Sequence, residues 1–184
     1  MAGDGAELRL IQGGQRSETS VGPVRIVATP EGTAPFSVDA VAFEEDTFLV
    51  MSADLAVRDP GEHPMKLMTR VIGTQPETPG NVVVKGRAPF RFLAIVHDLN
   101  EEPSWREEWI ARALDKIFRE AERRKLKSIA MPMLGTKHGS FQKPRFVKLM
   151  RRTLEGLSPR YLRRLWLVVP DRTSGKILEI MESE

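Results

Sequence analysis

The chain has 184 residues and no cysteine, which excludes disulfides, thiolate chemistry and cysteine-based zinc sites. With 41% hydrophobic and 29% charged residues, its composition is typical of a globular domain with a substantial core. No apolar run approaches the ~20 residues of a membrane-spanning helix, and residues 1–10 lack the basic start and apolar core of a secretion signal. We therefore expect one cytoplasmic domain over residues 1–184, with its core at about 24–182 and an N-terminal strand and polar loop over 1–23.

The net charge of +3 is unevenly distributed along the chain. Between Ala111 and Leu165 there are 16 Lys and Arg residues against 4 Asp and Glu, a local net charge of +12. Such a segment is typical of helices whose outer faces are solvated by basic side chains, or of a surface for an anionic partner such as nucleic acid. No sequence motif of a nucleic-acid-binding family accompanies the charge.

Short apolar or alternating segments in the first half of the chain predict extended strands. The predicted strands are Glu7–Ile11, Val24–Ala28, Val38–Phe43, Thr47–Met51, Val82–Val84 and Phe92–Val96. One helix is predicted between Pro60 and Ile72, and residues 13–22 and 73–80 are predicted loops.

In the second half, predicted strands alternate with predicted helices. Apolar residues recur at helical period from Trp105 to Ala121, and Ser104 precedes Glu107 by three residues, the pattern of a capping box. A buried strand at 127–134 leads to a helix from Pro144, and a last strand at Leu165–Val169 leads to a short helix at 174–181. This alternation predicts an α/β fold in three layers, with a mixed, mostly parallel central sheet flanked by helices.

The most informative stretch is the turn between the 127–134 strand and the helix from Pro144. It contains no large aliphatic side chain and is framed by two glycines. In α/β proteins, a strand that ends in a glycine-framed turn before a helix presents backbone N–H groups to an anion. The sequence therefore predicts a phosphate-binding loop made of Gly135, Thr136, Lys137, His138, Gly139, Ser140 and Phe141.

The same stretch resembles the macro domain signature, an apolar strand ending in Pro-x-Ile/Leu-Gly-Thr-Gly before a Gly-Phe or Gly-Tyr pair. The matching residues are Pro132, Leu134, Gly135, Thr136 and Gly139, whereas Lys137 replaces a glycine and Ser140 is inserted before the aromatic Phe141. Val38–Val41 is similar to the family's Val-Asp-Ala-Ile strand. Residues 80–84 and 92–97 are similar to its Gly-Glu-Ala and Val-Ile-His strands, in the same order.

This resemblance implies a crevice at the strand ends that binds ADP-ribose. It implies that the backbone amides of residues 135–140 hold the diphosphate, with Phe141 packing near the sugar or base. Asp46, where the chain departs from the family, is predicted to contact the ribose. The glycines allow close backbone approach, while Thr136 and Ser140 add hydroxyl donors and Lys137 adds a positive charge.

The chain departs from catalytic macro domains at the end of the Val38 strand. Phe43, Glu44, Glu45 and Asp46 stand where those members have Asn-Ala-Ala-Asn, and no glycine cluster follows. The leading hypothesis is therefore a divergent macro domain that binds ADP-ribose or a related nucleotide diphosphate, with no catalytic residues and no efficient hydrolase activity. A second hypothesis is a macro-fold scaffold that binds protein or nucleic acid through a basic helical face at Arg151 and Arg152. A third is an ADP-ribosyl hydrolase that uses the relocated carboxylates 44–46.

For the polar residues at strand ends, the sequence also allows simple structural or solvent-exposed roles. Consecutive acids such as 44–46 are typical of a solvated turn. His97, at the position of the family's strand-end histidine, is interpreted as a structural hydrogen-bonding residue, and His138 either donates to an anion or faces solvent. No metal or organic cofactor is predicted, because His63 has no partner at metal-ligand spacing.

Overall fold

One seven-stranded sheet and three helices make up the part of the chain that the computed structural model describes, residues 17–51 and 75–183. The strands are β1 (Glu18–Val21), β2 (Val24–Thr29), β3 (Ala40–Asp46), β4 (Val82–Lys85), β5 (Phe90–His97), β6 (Ser128–Pro132) and β7 (Arg164–Val168). The helices are α1 (Glu107–Arg123), α2 (Lys143–Leu157) and α3 (Ser174–Glu182).

The sheet is mixed and mostly parallel. Its strand order is β1-β2-β7-β6-β3-β5-β4, in which the five strands from β2 to β5 are parallel and the two edge strands are antiparallel to their neighbours. Parallel strands place all their carboxyl ends at one edge of the sheet, where α/β proteins bind their ligands. The predicted α/β fold class, with a mixed, mostly parallel sheet flanked by helices, is confirmed.

The core is built by the apolar stripe of α1 and by the central strands. The seven stripe residues Trp109, Ile110, Ala113, Leu114, Ile117, Phe118 and Ala121 are all buried, as their spacing predicts. In β5 every residue from Phe92 to His97 is buried, because a central parallel strand has both faces covered. Helix α1 packs against β5 and α2, and α2 packs against α3. No helix within the described residues is long and apolar enough to cross a membrane.

Three local predictions are wrong. Residues 47–51 form a turn instead of a strand, since the Asp46 carboxylate accepts N–H groups from the residues that follow it. Strand β1 lies inside the predicted loop 13–22, where pairing with β2 overrides weak local preference. Helix α1 begins at Glu107 with no side-chain cap, so the capping box at Ser104 does not form. The predicted strand Glu7–Ile11 and the predicted helix Pro60–Ile72 lie outside the described residues.

A carboxylate of α1 holds the connection between α2 and β7. Glu122 accepts three consecutive backbone N–H groups, from Arg160 at 2.8 Å, Tyr161 at 2.9 Å and Leu162 at 2.8 Å. Burial alone would raise the pKa of Glu122, but these N–H donors outweigh burial and hold the pKa below its ordinary value of 4.5.

We expect Glu122→Ala to lower the free energy of unfolding by about 1–3 kcal/mol, because three backbone N–H groups lose a charged acceptor. The N–H group of Leu162, which is buried, cannot bond to water instead. Urea unfolding measures the change. The matched control is Glu179→Ala, an exposed glutamate of α3, whose effect should stay within about 0.5 kcal/mol. Equal losses in the two variants would contradict this role of Glu122.

The stabilisation by Glu122 should also depend on pH. A carboxylate whose pKa is lowered by folding stabilises the protein fully above its unfolded-state pKa and loses that contribution as the pH falls toward the folded-state pKa. The difference in unfolding free energy between wild type and Glu122→Ala should therefore shrink as the pH falls from about 5 through the acid range. A difference that is constant over this range would refute the assignment.

Candidate functional site

The candidate site lies at the edge of the sheet where the carboxyl ends of β3, β5 and β6 meet. Glu44 of β3 reaches both neighbours: its Oε1 lies 2.5 Å from Nε2 of His97 in β5, and its Oε2 accepts the backbone N–H of Gly135 at 2.9 Å. The two side chains are nearly inaccessible, at 7% exposure for Glu44 and 1% for His97. One buried carboxylate thus ties three segments together below the loop 135–141.

The interpretation of His97 as a structural hydrogen-bonding residue is confirmed. Its second ring nitrogen, Nδ1, lies 3.3 Å from the hydroxyl of Ser104, and its backbone carbonyl accepts the N–H of Thr47 at 3.0 Å. Ser104 was predicted to cap α1, but its hydroxyl faces His97, since residues 98–105 turn back beside the end of β5.

The interpretation of residues 44–46 as a solvated turn is wrong. All three belong to β3, Glu45 and Asp46 are buried, and the pairing with β5 shifts register between them. The extra residue of this β-bulge is Val96 of β5, because Glu45 pairs with Ile95 and Asp46 with His97. Consecutive residues of β3 are buried because a central parallel strand is covered on both faces.

Asp46 has a well-defined set of partners. Its carboxylate accepts the backbone N–H of Phe48 at 2.6 Å, Val50 at 2.9 Å and Met51 at 2.7 Å, and the residue has no exposed surface. The carboxylate therefore fixes the turn that leaves β3. The ribose contact that the sequence predicts for Asp46 stays a prediction.

Within the loop 135–141, several polar groups bond to other parts of the protein. The N–H of Gly135 donates to Glu44, and both the N–H and the hydroxyl of Thr136 donate to the carbonyl of Met133, at 3.2 and 2.8 Å. The N–H of Phe141 closes the loop by donating to the carbonyl of Gly135 at 3.2 Å. The hydroxyl donor that the sequence assigns to a ligand at Thr136 is thus directed inward.

The other four backbone N–H groups of the loop are consecutive and unpaired in the described part of the chain. Those of Lys137, His138, Gly139 and Ser140 make no hydrogen bond to another residue in the described part of the chain. The side chains of Lys137, His138 and Ser140 are exposed around them. Successive unpaired N–H groups in a tight loop form a concave surface of positive potential, which suits a phosphate or carboxylate oxygen.

The two glycines of the loop are required by close contacts. Gly135 has φ of +75°, and an added Cβ would lie 2.5 Å from Cδ1 of Ile110. At Gly139 an added Cβ would lie 2.6 Å from the carbonyl oxygen of Gly135 and 2.7 Å from the Trp105 ring. The loop is therefore folded tightly onto itself and onto Trp105.

Trp105 supports the loop from the side of α1. Its ring and that of Phe141 lie 5.4 Å apart between centroids at an interplanar angle of 51°, a tilted aromatic contact. Phe141 is buried and packs in the main core, so its ring forms a wall beneath the loop.

The sequence marks the position of the loop but not the residues that hold it in place. Trp105 was predicted inside α1, and Glu44 was not linked to Gly135. The available signal for Glu44 was its place at the end of a parallel strand adjacent to the strand before the loop. Among the described residues, no cluster of three or more His, Asp or Glu side chains could hold a metal ion.

Comparison with known proteins identifies the fold. No protein-family model matches the chain, and no curated protein sequence matches it. Among solved structures, the macrodomain of Oceanobacillus iheyensis with ADP has a TM-score of 0.66 at 12% identity, covering 89% of this chain and 93% of that chain.

Two other structures agree. The macro domain of ganglioside induced differentiation associated protein 2 has a TM-score of 0.61 at 10% identity, over 85% of this chain and 82% of that chain. The DarG macrodomain of Thermus aquaticus has a TM-score of 0.54 at 18% identity, over 79% of this chain and 98% of that chain. The chain therefore has the macrodomain fold, and the resemblance seen in the sequence is confirmed at the level of the fold.

We expect Gly139→Ala to lower the free energy of unfolding by about 1–3 kcal/mol, because the new methyl group would meet the Gly135 carbonyl and the Trp105 ring. The matched control is Gly156→Ala in α2, where an added Cβ has no neighbour within 4 Å. That control should be neutral or stabilising by up to about 1 kcal/mol. Urea unfolding followed by far-ultraviolet circular dichroism compares the two, and equal effects would show that the loop tolerates a side chain at Gly139.

Proposed function

We propose that this protein binds ADP-ribose or a related nucleotide diphosphate through the loop 135–141. The observation that carries the proposal is the row of four N–H groups, from Lys137 to Ser140, that make no hydrogen bond within the described part of the chain. They lie beyond the carboxyl end of β6, at the edge where α/β sheets bind ligands. A diphosphate offers several oxygens that such a row can hold together.

The fold supports this ligand class. Solved structures of the similar Oceanobacillus iheyensis macrodomain include one with ADP and one of a variant with ADPR. In this chain Lys137 adds a positive charge beside the N–H row, and the exposed Ser140 adds a hydroxyl donor. Phe141 supplies an apolar wall beneath the loop.

Glu44 sets this site apart, because it places a carboxylate under an anion-binding loop. Its charge is held by His97 and by the N–H of Gly135, so it cannot turn away from the loop without breaking two buried hydrogen bonds. A diphosphate above the loop would be repelled by this carboxylate, since two unit charges about 4 Å apart interact by about 1 kcal/mol even in bulk water. Glu44 therefore lowers the affinity for doubly charged ligands.

The proposal is one of binding without efficient hydrolysis. A hydrolase that used the carboxylates 44–46 would need one of them to face the ligand with a free lone pair and access to water. Glu44 and Asp46 instead accept hydrogen bonds from the protein on both carboxylate oxygens, and Glu45 and Asp46 are buried.

Calorimetric titration of ADP-ribose tests the proposal. We expect micromolar binding to the wild type and a loss of about 10-fold for Lys137→Glu, in which an exposed loop residue changes by two charge units beside the diphosphate. The matched control is Lys176→Glu, the same change at an exposed residue of α3, which should bind as the wild type does. Flat titrations of the wild type, or equal losses in the two variants, would overturn binding at this loop.

Glu44→Gln gives the second test. The amide keeps an acceptor for the N–H of Gly135 while it removes the negative charge, so we expect the affinity for ADP-ribose to rise by about 3- to 10-fold. Glu179→Gln, at an exposed residue of α3, removes the same charge from a helix that packs on α2, β1 and β2, and should leave affinity unchanged. An unchanged or weakened affinity in Glu44→Gln would show that its carboxylate does not oppose the ligand.

A further inference from the structure

The opposite edge of the sheet carries a concentration of positive charge. Six basic residues lie at or beside the amino ends of β2, β6 and β7, and together they form what we call the basic edge: Arg25, Lys125, Lys127, Arg160, Arg163 and Arg164. Their proximity follows from backbone pairing, since Arg25 is the register partner of Arg164 and the N–H groups of Arg163 and Arg164 both donate to the Lys127 carbonyl. Neighbouring strands are about 4.8 Å apart, so the three strand ends span about 10 Å.

Three acids of this region, Glu18, Asp39 and Glu122, lower the net charge of the basic edge from +6 to +3, and Glu122 also attracts Arg163 electrostatically. Glu122 directs its carboxylate to the backbone N–H groups of residues 160–162, and Asp39 accepts the N–H groups of Lys127 and Ser128. Glu18 is the exception, because it forms an ion pair with Arg25. Among the described residues, no acidic side chain forms an ion pair with Lys125, Lys127, Arg160, Arg163 or Arg164.

Aromatic rings are interleaved with these charges, a pattern that the sequence alone does not show. The Lys125 ammonium lies 5.8 Å from the centroid of the Tyr161 ring, and the Arg164 guanidinium lies 4.9 Å from that of Phe36. Tyr161 is 38% exposed and is one of two large hydrophobic side chains that are exposed in the described part of the chain. An exposed tyrosine within a cluster of cations is suited to stacking on a base of a strand whose phosphates the cations bind.

The geometry points to the basic edge as a binding surface for single-stranded nucleic acid, separate from the candidate ligand loop. Closely spaced cations, five of which form no ion pair with an acidic side chain in the described part of the chain, match the phosphates of an extended strand, and the exposed ring of Tyr161 offers a stacking platform for an unpaired base. A duplex would hide its bases from such a ring, so the aromatic contact favours the single strand. This location differs from the helical face predicted from the sequence, where Arg151 is held by Glu155 and by the Met181 carbonyl.

The test is fluorescence anisotropy of a labelled 12-nucleotide oligothymidylate with the full chain, at several salt concentrations. We expect binding that weakens as salt rises, and that weakens by about 10-fold or more in the double variant Lys127→Gln, Arg160→Gln, with a reduction of about 1.4 in the slope of log K against log salt. The matched control, Lys143→Gln with Lys176→Gln, removes two charges from helices elsewhere and should bind as the wild type does. Equal losses in the two double variants would overturn the assignment to this edge.

Variants of Tyr161 give an independent test, because they change the aromatic ring without changing the surface charge. Tyr161→Ala should weaken binding by about 10-fold, and Tyr161→Phe, which keeps the ring, should restore it. Thermal unfolding of each variant confirms that it is folded. Binding that is indifferent to Tyr161→Ala, or a 12-base-pair duplex bound as tightly as the single strand, would overturn the single-strand assignment.

Competition separates this surface from the proposed ligand site. Saturating ADP-ribose should leave the anisotropy of the bound oligonucleotide unchanged, because the two sites lie at opposite edges of the parallel strands. Displacement of the oligonucleotide would place it at the loop 135–141 and overturn the inference. Binding of single-stranded nucleic acid at the basic edge is therefore tested independently of whether the loop binds ADP-ribose.

Discussion

The Glu44 carboxylate is the interaction on which the candidate site depends. It joins the end of β3 to His97 in β5 and to Gly135 after β6, so that three separate chain segments share one buried acceptor. A buried carboxylate is tolerated only where its charge meets hydrogen-bond donors on its several lone pairs. Here the donors are an imidazole and a main-chain amide, and the result is a loop whose first residue is anchored from below. The unpaired N–H groups begin two residues after this anchor, at Lys137.

The sequence was most informative where structure depends on local pattern. The helical period of α1 predicted its buried face, and the glycines at 135 and 139 marked a tight loop between β6 and α2. Both features are set by residues a few positions apart in the chain, so they can be recognised from a single sequence. The alternation of strands and helices in the second half likewise gave the fold class, because parallel strands require crossover connections.

What could not be predicted depends on residues distant in the chain. Glu44 and Gly135 are 91 positions apart, and Glu44 and His97 are 53 apart, so no periodicity connects them. Residues 44–46 have the composition of a solvated acidic turn, yet pairing with β5 extends β3 to Asp46 and buries Glu45 and Asp46. Ser104 had the right spacing for a helix cap, yet its hydroxyl faces the His97 ring. In each case tertiary contact outweighed a plausible local reading, and each case lies at the candidate site.

The contact between Trp105 and Gly139 gives the protein an internal optical probe. All three tryptophans lie in the described residues: Trp109 is buried in α1, and the indole N–H of Trp166 donates to the Thr29 carbonyl at 3.3 Å. The side chain of Trp105 is the one that an added Cβ at Gly139 would strike, and its ring meets that of Phe141. Any rearrangement of the loop must therefore change the surroundings of this indole, whose emission reports on polarity. Binding of the proposed ligand at the loop should therefore change the native emission spectrum, which can be recorded without a dye and without altering a single residue.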